Sequence, residues 1–309
     1  LYPIYLFNPR YCSQSIVVAE YPREPLITNS LGIYLQHQIE LLPNLKLLLG
    51  GRFDIVNQKI DFDDGSESFQ QDEAFSPRVG LVYQPTDWLS LYASYSRSFL
   101  QSVGTAFDNT LFQPERGTQY EVGIKADWLD RKLSTTLALY QITRSNVLTT
   151  DLNNPNFSLQ TGEQRSRGIE LDIVGEILPG WKIAAGYAYT DARITEDNTF
   201  AIDNRINNVP ENAVSLWTSY EIQTGSLKGL GFGLGIFYIG ERQGDLDNSF
   251  EVPGYTRTDV SLFYRRDNFR IGLNIENLFD VTYFETAESP LRVYYGAPFT
   301  VRGTISWNF

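Results

Sequence analysis

The chain of 309 residues contains no methionine, one cysteine, one histidine and few basic side chains. The single cysteine, Cys12, excludes a disulfide bond within the chain and argues against a cysteine-based metal site. Lysine and arginine total 25 against 37 aspartate and glutamate residues, which gives a formal net charge of −12. Because nucleic-acid binding needs a basic surface, this balance argues against a nucleic-acid partner.

The only histidine, His37, lies in an alternating segment on the same parity as Ile33 and Leu35. This parity predicts an interfacial position on an apolar face, not a catalytic or iron-binding one. Hydrolases that activate water or serine through histidine are therefore disfavoured. Acidic pairs such as Asp63 and Asp64 do not form a carboxylate pair of the kind that glycosidases use. We expect no catalytic residue, no resident metal and no enzymatic activity.

Long apolar runs are also missing, since no run approaches the ~18 residues of a membrane-spanning helix. The longest, residues 230–239, starts with a glycine at every second position, which suits a strand and would be poor in a helix. Aromatic residues are abundant, with 19 tyrosines and 19 phenylalanines, and there are 24 glycines. This combination fits a β-barrel membrane protein, whose interfaces carry aromatic girdles.

Residues 299–309 alternate, with apolar side chains or glycine at odd positions and polar side chains at even positions. A strand places successive side chains on opposite faces, so this segment has one apolar and one polar face. The sequence stops on Phe309, whereas the termini of soluble proteins are usually polar and frayed. An apolar closing strand is expected of a transmembrane barrel.

The same alternation recurs along the chain and predicts thirteen strands. They lie near residues 28–41, 44–59, 75–84, 88–99, 118–128, 132–147, 165–177, 180–193, 211–222, 228–240, 255–265, 268–282 and 298–309. A soluble sandwich shows the same period, but here short connections alternate with long ones near 60–74, 99–117, 148–164, 192–210, 241–254 and 283–297. This order predicts an all-β, antiparallel, up-and-down transmembrane β-barrel with tight turns inside and long loops outside.

Residues 274–283 read Asn-Ile-Glu-Asn-Leu-Phe-Asp-Val-Thr-Tyr, and a Tyr-Tyr-Gly motif at 294–296 precedes the terminal strand. Together they resemble the closing segment of TonB-dependent outer-membrane receptors. Further stretches resemble the ferric-siderophore, ferrichrome-type branch in the same order; they are residues 31–39, 49–54, 76–83, 113–125 and 166–171. The resemblance runs from about residue 28 to the end of the sequence.

The resemblance implies a barrel of about 22 strands, of which this chain would hold the C-terminal thirteen. Residues 1–309 would then be part of a single receptor β-barrel domain, with 1–27 as the remnant of an extracellular loop. The family's N-terminal plug and its TonB box have no counterpart in this sequence, and no signal peptide is recognisable. We therefore expect the sequence to be part of a longer exported precursor.

The resemblance further implies uptake of ferric siderophores across the outer membrane of a Gram-negative-type bacterium. The cargo would be an Fe(III)-siderophore rather than a bound cofactor. The expected partners are this cargo, TonB acting through the plug, the barrel-insertion machinery, and lipid with lipopolysaccharide. Alternatives are another cargo (cobalamin, haem or another metal chelate), a passive porin or adhesin barrel, and a soluble β-protein such as a propeller.

Five residues are candidates for cargo binding at the outer mouth: Tyr294, Tyr295, Arg292, Phe284 and Phe112. Aromatic side chains can contact a bulky chelate, although aromatics at an outer rim more often pack within the girdle or the loops. If the two tyrosines lie in an extended segment, only one of them can face the lumen. Arg292 would attract an acidic siderophore.

The closing motif is assigned a structural role. Its members are Asn274, Asn277, Leu278, Phe279, Asp280, Tyr283, Gly296 and Phe309. Asn277 and Asp280 are expected to satisfy backbone groups where strand pairing ends. Phe309 resembles the signal that the insertion machinery reads, although a lipid-facing strand end would account for it too. Gly123 and Gly168 are expected at lumen-side or rim positions where bulk is disfavoured.

Overall fold

The computed structural model describes residues 26–61 and 67–308, and seventeen strands lie within them. In chain order they are β1 (Leu26–Leu42), β2 (Leu45–Asp61), β3 (Glu67–Thr86), β4 (Leu89–Leu100), β5 (Glu115–Trp128), β6 (Leu133–Thr150), β7 (Ser158–Leu178), β8 (Trp181–Glu196), β9 (Asn212–Glu221), β10 (Leu230–Ile239), β11 (Arg242–Gln243), β12 (Glu251–Val252), β13 (Tyr255–Arg266), β14 (Phe269–Glu276), β15 (Phe284–Ser289), β16 (Arg292–Tyr295) and β17 (Thr300–Trp307). In this part of the chain, no helix has the length and hydropathy to cross a membrane.

Thirteen of these strands form one antiparallel sheet in the order β1-β2-β3-β4-β5-β6-β7-β8-β9-β10-β13-β14-β17. Apart from the two small hairpins β11–β12 and β15–β16, each strand pairs with its neighbours along the chain. The hairpins lie within connections between strands of the large sheet. The predicted all-β, up-and-down architecture with thirteen principal strands is confirmed.

Short and long connections alternate along this sheet as predicted, except that the seven-residue connection 151–157 is shorter than the eight-residue connection 222–229 at the opposite edge. The short ones are residues 43–44, 87–88, 129–132, 179–180, 222–229 and 267–268. The long ones at the opposite edge include residues 101–114, 151–157, 197–211, 240–254 and 277–299, while the remaining connection, 62–66, lies outside the described residues. All the long loops therefore gather at one edge, which we call the outer edge.

Several strand boundaries differ from the prediction at the outer edge. The largest extensions are at the start of β3, which begins at Glu67 and not near residue 75, and at the start of β7, which begins at Ser158 and not near residue 165. Polar residues can continue a strand pair after its apolar part stops. Conversely, the predicted strand 268–282 is too long, since β14 ends at Glu276. The cause is Asn277, whose φ of 53° lies in the left-handed region and breaks the extended backbone.

The sheet has an apolar and a polar face, as the alternation predicts. On β5, the apolar face presents Tyr120 (56% exposed) and Ile124 (43% exposed), while Glu121 and Lys125 have the opposite parity. Large apolar side chains exposed in a continuous array mark a surface that contacts something other than water. His37 also lies on the apolar face, opposite Leu49 in the β1–β2 register.

Aromatic pairs border the apolar face at both ends. Trp88 and Trp128 lie near the short turns with ring centroids 5.2 Å apart, and Tyr95 and Tyr120 lie nearer the loops at the same spacing. Eight residues of β5 separate Tyr120 from Trp128, which is about 26 Å along a strand at ~3.3 Å per residue. This spacing is close to the ~25 Å height of the apolar band of an outer-membrane barrel.

On the polar face, two glycines leave room for tyrosine rings. A Cβ atom at Gly123 would lie 2.5 Å from Cζ of Tyr92, whose hydroxyl donates to Oε1 of Glu121 at 2.7 Å. A Cβ atom at Gly168 would meet the hydroxyl of Tyr140 at 2.9 Å. Both contacts agree with the expectation that bulk is disfavoured at these positions.

Candidate functional site: the outer loops

The loops at the outer edge form two hydrogen-bonded groups. The first loop cluster comprises residues 101–114 and 151–157 and packs on the outer ends of β3 and β7. The second loop cluster comprises residues 197–211, 240–254 and 277–299. Four of the five predicted binding residues lie in the second loop cluster, and Phe112 lies in the first.

The first loop cluster is held mainly by glutamine side chains. Gln160 accepts from the backbone N–H of Gln113 and donates to its carbonyl oxygen. Gln70 donates to the carbonyl oxygen of Phe112 at 2.8 Å. The rings of Phe107 and Phe157 meet edge-on with centroids 5.2 Å apart, which joins the two loops.

Two aspartates shape turns in the first loop cluster. Hydrogen bonds from Asn154 and from the backbone N–H of Asn153 hold the pKa of Asp151 below its ordinary value. Backbone and side-chain hydrogen bonds from Thr110 likewise lower the pKa of Asp108. Both carboxylates thus stay ionised and serve the turns, in the manner of Asx turns.

Phe112 does not stand free at the mouth. It is 7% exposed, and its ring packs over Gly104. It borders a groove of about 400 Å³ together with Phe107 and Leu159. Because so little of Phe112 is exposed, it offers only a small surface to a ligand.

The β15–β16 hairpin carries the other four predicted residues and separates them onto two faces. Phe284 is paired with Tyr295, and their ring centroids are 4.9 Å apart. On the other face, Arg292 donates to Oε2 of Glu288 at 2.7 Å, and the hydroxyl of Tyr294 donates to Oε1 at 2.9 Å. The expectation that the two tyrosines face opposite ways holds in this hairpin.

The ion pair on the hairpin sets the charge state of its members. Hydrogen bonds from Arg292 and Tyr294 lower the pKa of Glu288. In return, Glu288 raises the pKa of Arg292 and the pKa of Tyr294. The positive charge of Arg292 is therefore neutralised locally, which weakens its expected attraction for an acidic ligand.

The face of the hairpin that carries Phe284 and Tyr295 borders a groove of about 360 Å³. The groove is open and largely apolar. Leu291, at the tip of the hairpin, is 99% exposed. The walls of the groove come from residues 250–253 and the hairpin and include Phe250, Val252, Phe284, Pro290, Leu291 and Tyr295. An aromatic, concave surface of this size suits part of a small ligand.

Arg242 fixes the hairpin to the neighbouring loop. It is only 2% exposed, and its Nη2 donates to the carbonyl oxygens of Phe284 and Glu285 at 2.6 and 2.9 Å. Its guanidinium carbon lies 5.9 Å from the ring centre of Tyr255, and burial lowers the pKa of Arg242. The positive end of this buried side chain thus holds the hairpin through main-chain carbonyls.

Asn208 joins all three loops of the second loop cluster. Its side chain donates to the carbonyl oxygen of Ala287 at 2.8 Å and accepts from the N–H of the same residue at 2.9 Å. Its own N–H donates to the carbonyl oxygen of Gln243 at 2.8 Å. Sequence reasoning missed both Arg242 and Asn208, because neither lies in a periodic segment or a motif.

The closing motif forms the turn that follows β14. Asn277 is 1% exposed; its N–H donates to Oδ1 of Asp259 at 2.9 Å, and its side chain donates to the carbonyl oxygens of Val281 and Ala297. Asp280 accepts the N–H of Phe299 at 2.9 Å. As expected from the sequence, both side chains satisfy backbone groups where strand pairing stops.

The remaining motif residues support this turn or flank it. Tyr283 is buried and stacks on Tyr255 with ring centroids 4.2 Å apart, and a Cβ atom at Gly296 would collide with its ring. Leu278 donates its N–H to Thr258, Phe279 is exposed, and Asn274 pairs with Arg302 across β14 and β17. Phe309 lies outside the described residues.

Comparison with known proteins identifies the family. A family model described as "TonB dependent receptor-like, beta-barrel" matches residues 4–278. The chain therefore belongs to the TonB-dependent receptor β-barrel family, a family of outer-membrane receptors of Gram-negative bacteria. Across the residues that the structure describes, no group of three or more His, Cys, Asp or Glu side chains is arranged to hold a metal ion.

Curated relatives are receptors for metal complexes. The chain is 37% identical over 291 residues to the metal-pseudopaline receptor CntO of Pseudomonas aeruginosa, covering 91% of this chain and 41% of the relative. It is 34% identical over 286 residues to the ferrichrome outer membrane transporter/phage receptor of Escherichia coli, covering 90% and 38%. The chain thus spans about two fifths of the length of these relatives.

Solved structures show the same fold. The siderophore receptor PiuA from Acinetobacter baumannii superposes with a TM-score of 0.81 at 27% identity, covering 91% of this chain and 43% of that one. BauA, the ferric preacinetobactin receptor of the same species, gives 0.76 at 27% identity, covering 92% and 43%.

Proposed function

We propose that this chain forms part of the wall and the outer loops of a TonB-dependent receptor that imports a ferric siderophore. The observation that carries the proposal is the match over nine tenths of the chain to receptors named for metal complexes and siderophores. The receptor would lie in the outer membrane, with its apolar face toward lipid and its polar face toward the lumen. It would move its cargo without enzymatic chemistry.

We infer that the cargo contacts the groove of the second loop cluster. Phe284 and Tyr295 offer adjacent rings on its wall, which suit the apolar or aromatic portion of a chelate. Arg292 and Tyr294 would act at the rim, since both are already bound to Glu288. Phe112 would form a second contact region within the groove of the first loop cluster.

A chelate of a metal other than iron is the second candidate cargo. The observation that favours it is the 37% identity to a receptor named for a metal–pseudopaline complex, a name that specifies no iron. TonB would supply the energy for either cargo through the plug that the family resemblance implies, and the insertion machinery would assemble the barrel.

Uptake by the full-length receptor tests the proposal. The receptor is expressed in an iron-limited strain without other siderophore receptors, and uptake of ferrichrome, ferrioxamine B, ferripyoverdine and metal–pseudopaline is measured with and without TonB. We expect TonB-dependent uptake of at least one complex. Uptake of none, with the receptor present in the outer membrane, would refute the proposal, and equal uptake without TonB would indicate a passive pore.

Adjacent tyrosines provide a matched pair of variants for the binding surface. Tyr295→Ala removes a ring from the groove, whereas Tyr294→Ala removes one from the opposite face of the same strand. Loss of an aromatic contact worth ~0.5–1.5 kcal/mol should weaken binding of the transported complex by about two- to twelvefold for Tyr295→Ala. The two variants should differ in equilibrium binding to the purified receptor. Binding by Tyr295→Ala as tight as that of the unaltered receptor would exclude the groove as the contact surface.

A further inference from the structure

We propose that the polar face of the sheet carries an aromatic strip that binds an anionic metal chelate on its way from the outer loops toward the short turns. The aromatic strip consists of four rings on three neighbouring strands: Trp217 on β9, Phe237 on β10, and Tyr255 and Phe263 on β13. The inference rests on the proposed function. It adds that the transported complex is negatively charged, and it identifies the part of the wall that the complex contacts after leaving the loops.

The strand register places the four rings on one face. It carries the parity of Glu121 on β5 across the intervening strands to every ring of the aromatic strip. The rings therefore share the polar face, which the proposed function turns toward the lumen. Eight residues of β13 separate Tyr255 from Phe263, which is about 26 Å along the strand at ~3.3 Å per residue. The aromatic strip thus extends from the second loop cluster toward the short turns.

Glycines on β10 leave room for two of the rings to pack against the wall. A Cβ atom at Gly233 would lie 2.8 Å from Cζ2 of Trp217, and a Cβ atom at Gly235 would lie 2.7 Å from Cε3 of the same ring. A Cβ atom at Gly231 would collide with the ring of Phe263. The three glycines are buried and the two rings are half-buried, so part of each ring remains open to a ligand.

Arginines lie over two rings of the aromatic strip. The guanidinium carbon of Arg257 is 5.0 Å from the ring centre of Phe237, and that of Arg270 is 5.4 Å from the ring centre of Phe263. A guanidinium group stacked on a ring keeps N–H groups at its edge, where they can bind the oxygen atoms of an anion. Ring faces beside such groups suit a chelate that has both apolar portions and negative charge.

One of the arginines beside the aromatic strip keeps its charge uncompensated. Arg257 pairs with Asp259 at 3.1 Å, and Arg265 pairs with Glu221 at 2.6 Å. Arg270 lies directly opposite Arg265, and the ion pairs among the described residues do not include it. Arg270 is also exposed. It therefore supplies an attractive charge at the inner end of the aromatic strip.

Another sector of the polar face is acidic. Glu121 on β5 and Glu170 and Asp172 on β7 share this face, and the ion pairs of the described part of the chain include none of the three. A recess of about 360 Å³, lined by small side chains such as Gly186, lies between the β7 carboxylates and Phe237. An anion in the lumen would be repelled by the acidic sector and attracted toward the aromatic strip.

The outer end of the aromatic strip is continuous with the groove of the second loop cluster. Tyr255 stacks on Tyr283 with ring centroids 4.2 Å apart, and the next residue, Phe284, belongs to the wall of the groove. A chelate that leaves the groove inward thus passes beside the aromatic strip. This continuity and the uncompensated charge of Arg270 favour an anionic chelate as the occupant over a segment of the plug.

Uptake kinetics of the full-length receptor test the proposal. The probes are ferrichrome, ferrioxamine B, ferripyoverdine and metal–pseudopaline, and the charge of each transported complex is measured by electrophoretic mobility. Arg270→Gln should lower the maximal uptake rate about fivefold, and Phe263→Ala about threefold, at equal amounts of receptor in the outer membrane. Equilibrium binding to the purified receptor should stay unchanged, because both residues lie far from the groove. Arg270→Lys keeps the charge and should retain most of the uptake rate.

Tyr264→Ala and Arg266→Gln are the matched controls, because both residues adjoin the aromatic strip on β13 but have the opposite parity or lie at its end. Both should transport at the unaltered rate. Unaltered uptake by Arg270→Gln and Phe263→Ala, or equal loss in Arg270→Gln and Arg270→Lys, would overturn the proposal.

Transport of uncharged or cationic complexes alone would also overturn the proposal. Vancomycin sensitivity of cells that carry Arg270→Gln or Phe263→Ala would do the same, because a leak would show that the aromatic strip seats the plug. If Phe263→Ala does not reach the outer membrane, the two Arg270 variants decide by the same criteria. Absence of uptake by the unaltered receptor refutes the proposed function itself, so the two failures are distinguishable.

Discussion

The two loop clusters at the outer edge are built differently. In the first, the buried residues are mostly polar, such as Gln70, Thr149 and Asp151, and glutamines on the strands hold the loops. In the second, apolar residues such as Val252 and Ala287 are buried where three loops meet. The first loop cluster therefore depends on contacts with the strands of the large sheet, whereas the second loop cluster has a small apolar core of its own.

This difference bears on ligand binding. A loop held mainly by side-chain amides opens at a lower free-energy cost than a loop unit with buried apolar contacts, which moves as a body. The hairpin with Phe284 and Tyr295 should therefore present a preformed surface, because Arg242 and Asn208 fix it to neighbouring loops. The groove beside Phe112 should be the more adaptable of the two.

The largest effect is expected for Arg242→Ala. The variant loses two hydrogen bonds from a buried charged donor, each worth ~1.5–3 kcal/mol, so the hairpin should lose roughly 3 kcal/mol of local stability. Hydrogen exchange at residues 284–295 of the full-length receptor should become faster. Arg292→Ala, an exposed arginine on the same hairpin, is the control and should change exchange little. Unaltered exchange in Arg242→Ala would show that the hairpin is held by other contacts.

A smaller effect is expected for Gln160→Ala in the first loop cluster. Two hydrogen bonds to Gln113 are lost at an exposed site, for a cost of about 1 kcal/mol. Exchange at residues 107–113 should rise while the second loop cluster is unaffected. Gln71→Ala, which loses one exposed contact to Glu73, serves as the control. A response in both clusters would contradict their independence.

The smallest effect concerns the pH dependence of the hairpin tip. Arg292 and Tyr294 lower the pKa of Glu288 in the folded hairpin. The hydrogen bonds to the Glu288 carboxylate therefore stabilise the folded hairpin at pH values above the ordinary glutamate pKa of ~4.3. This stabilisation is lost as the pH falls through the lowered pKa of Glu288. A spin label at Leu291, in a Cys12→Ser background, should stay equally mobile from neutral pH to about pH 5 and become more mobile in stronger acid. Glu288→Gln should abolish that transition; a transition that persists would assign it to another group.

The strands of the large sheet could be predicted because the sequence pattern that identifies a strand lies within the strand itself. Apolar and polar residues alternate within each strand, so the sequence alone predicted which side chains of β5 and β14 share a face. The left-handed turn at Asn277 shortened one predicted strand. The outer ends of β3 and β7 were missed because their residues are mostly polar. Local patterns do not reveal where pairing continues into water.

The loop clusters could not be predicted because their contacts are distant in sequence. Arg242 reaches a carbonyl 42 residues away, and Asn208 reaches Ala287 across 79 residues. β15 and β16 are short, and their side chains alternate only partly between apolar and polar. Their sequence pattern therefore did not distinguish them from a loop. The motif nevertheless identified Asn277 and Asp280, because both act within one connection.

The turn after β14 also determines how the final strand is aligned. Asn277 reaches the carbonyl oxygen of Ala297 across 20 residues, and Asp280 holds the N–H of Phe299 one position before β17 begins. These bonds bring Thr300 opposite Glu276, and a slip of one residue would move Arg302 to the apolar face and Ile305 to the polar face of the sheet. The short polar side chains of Asn277 and Asp280 thus fix the path of the loop and, with it, the register of β17 against β14.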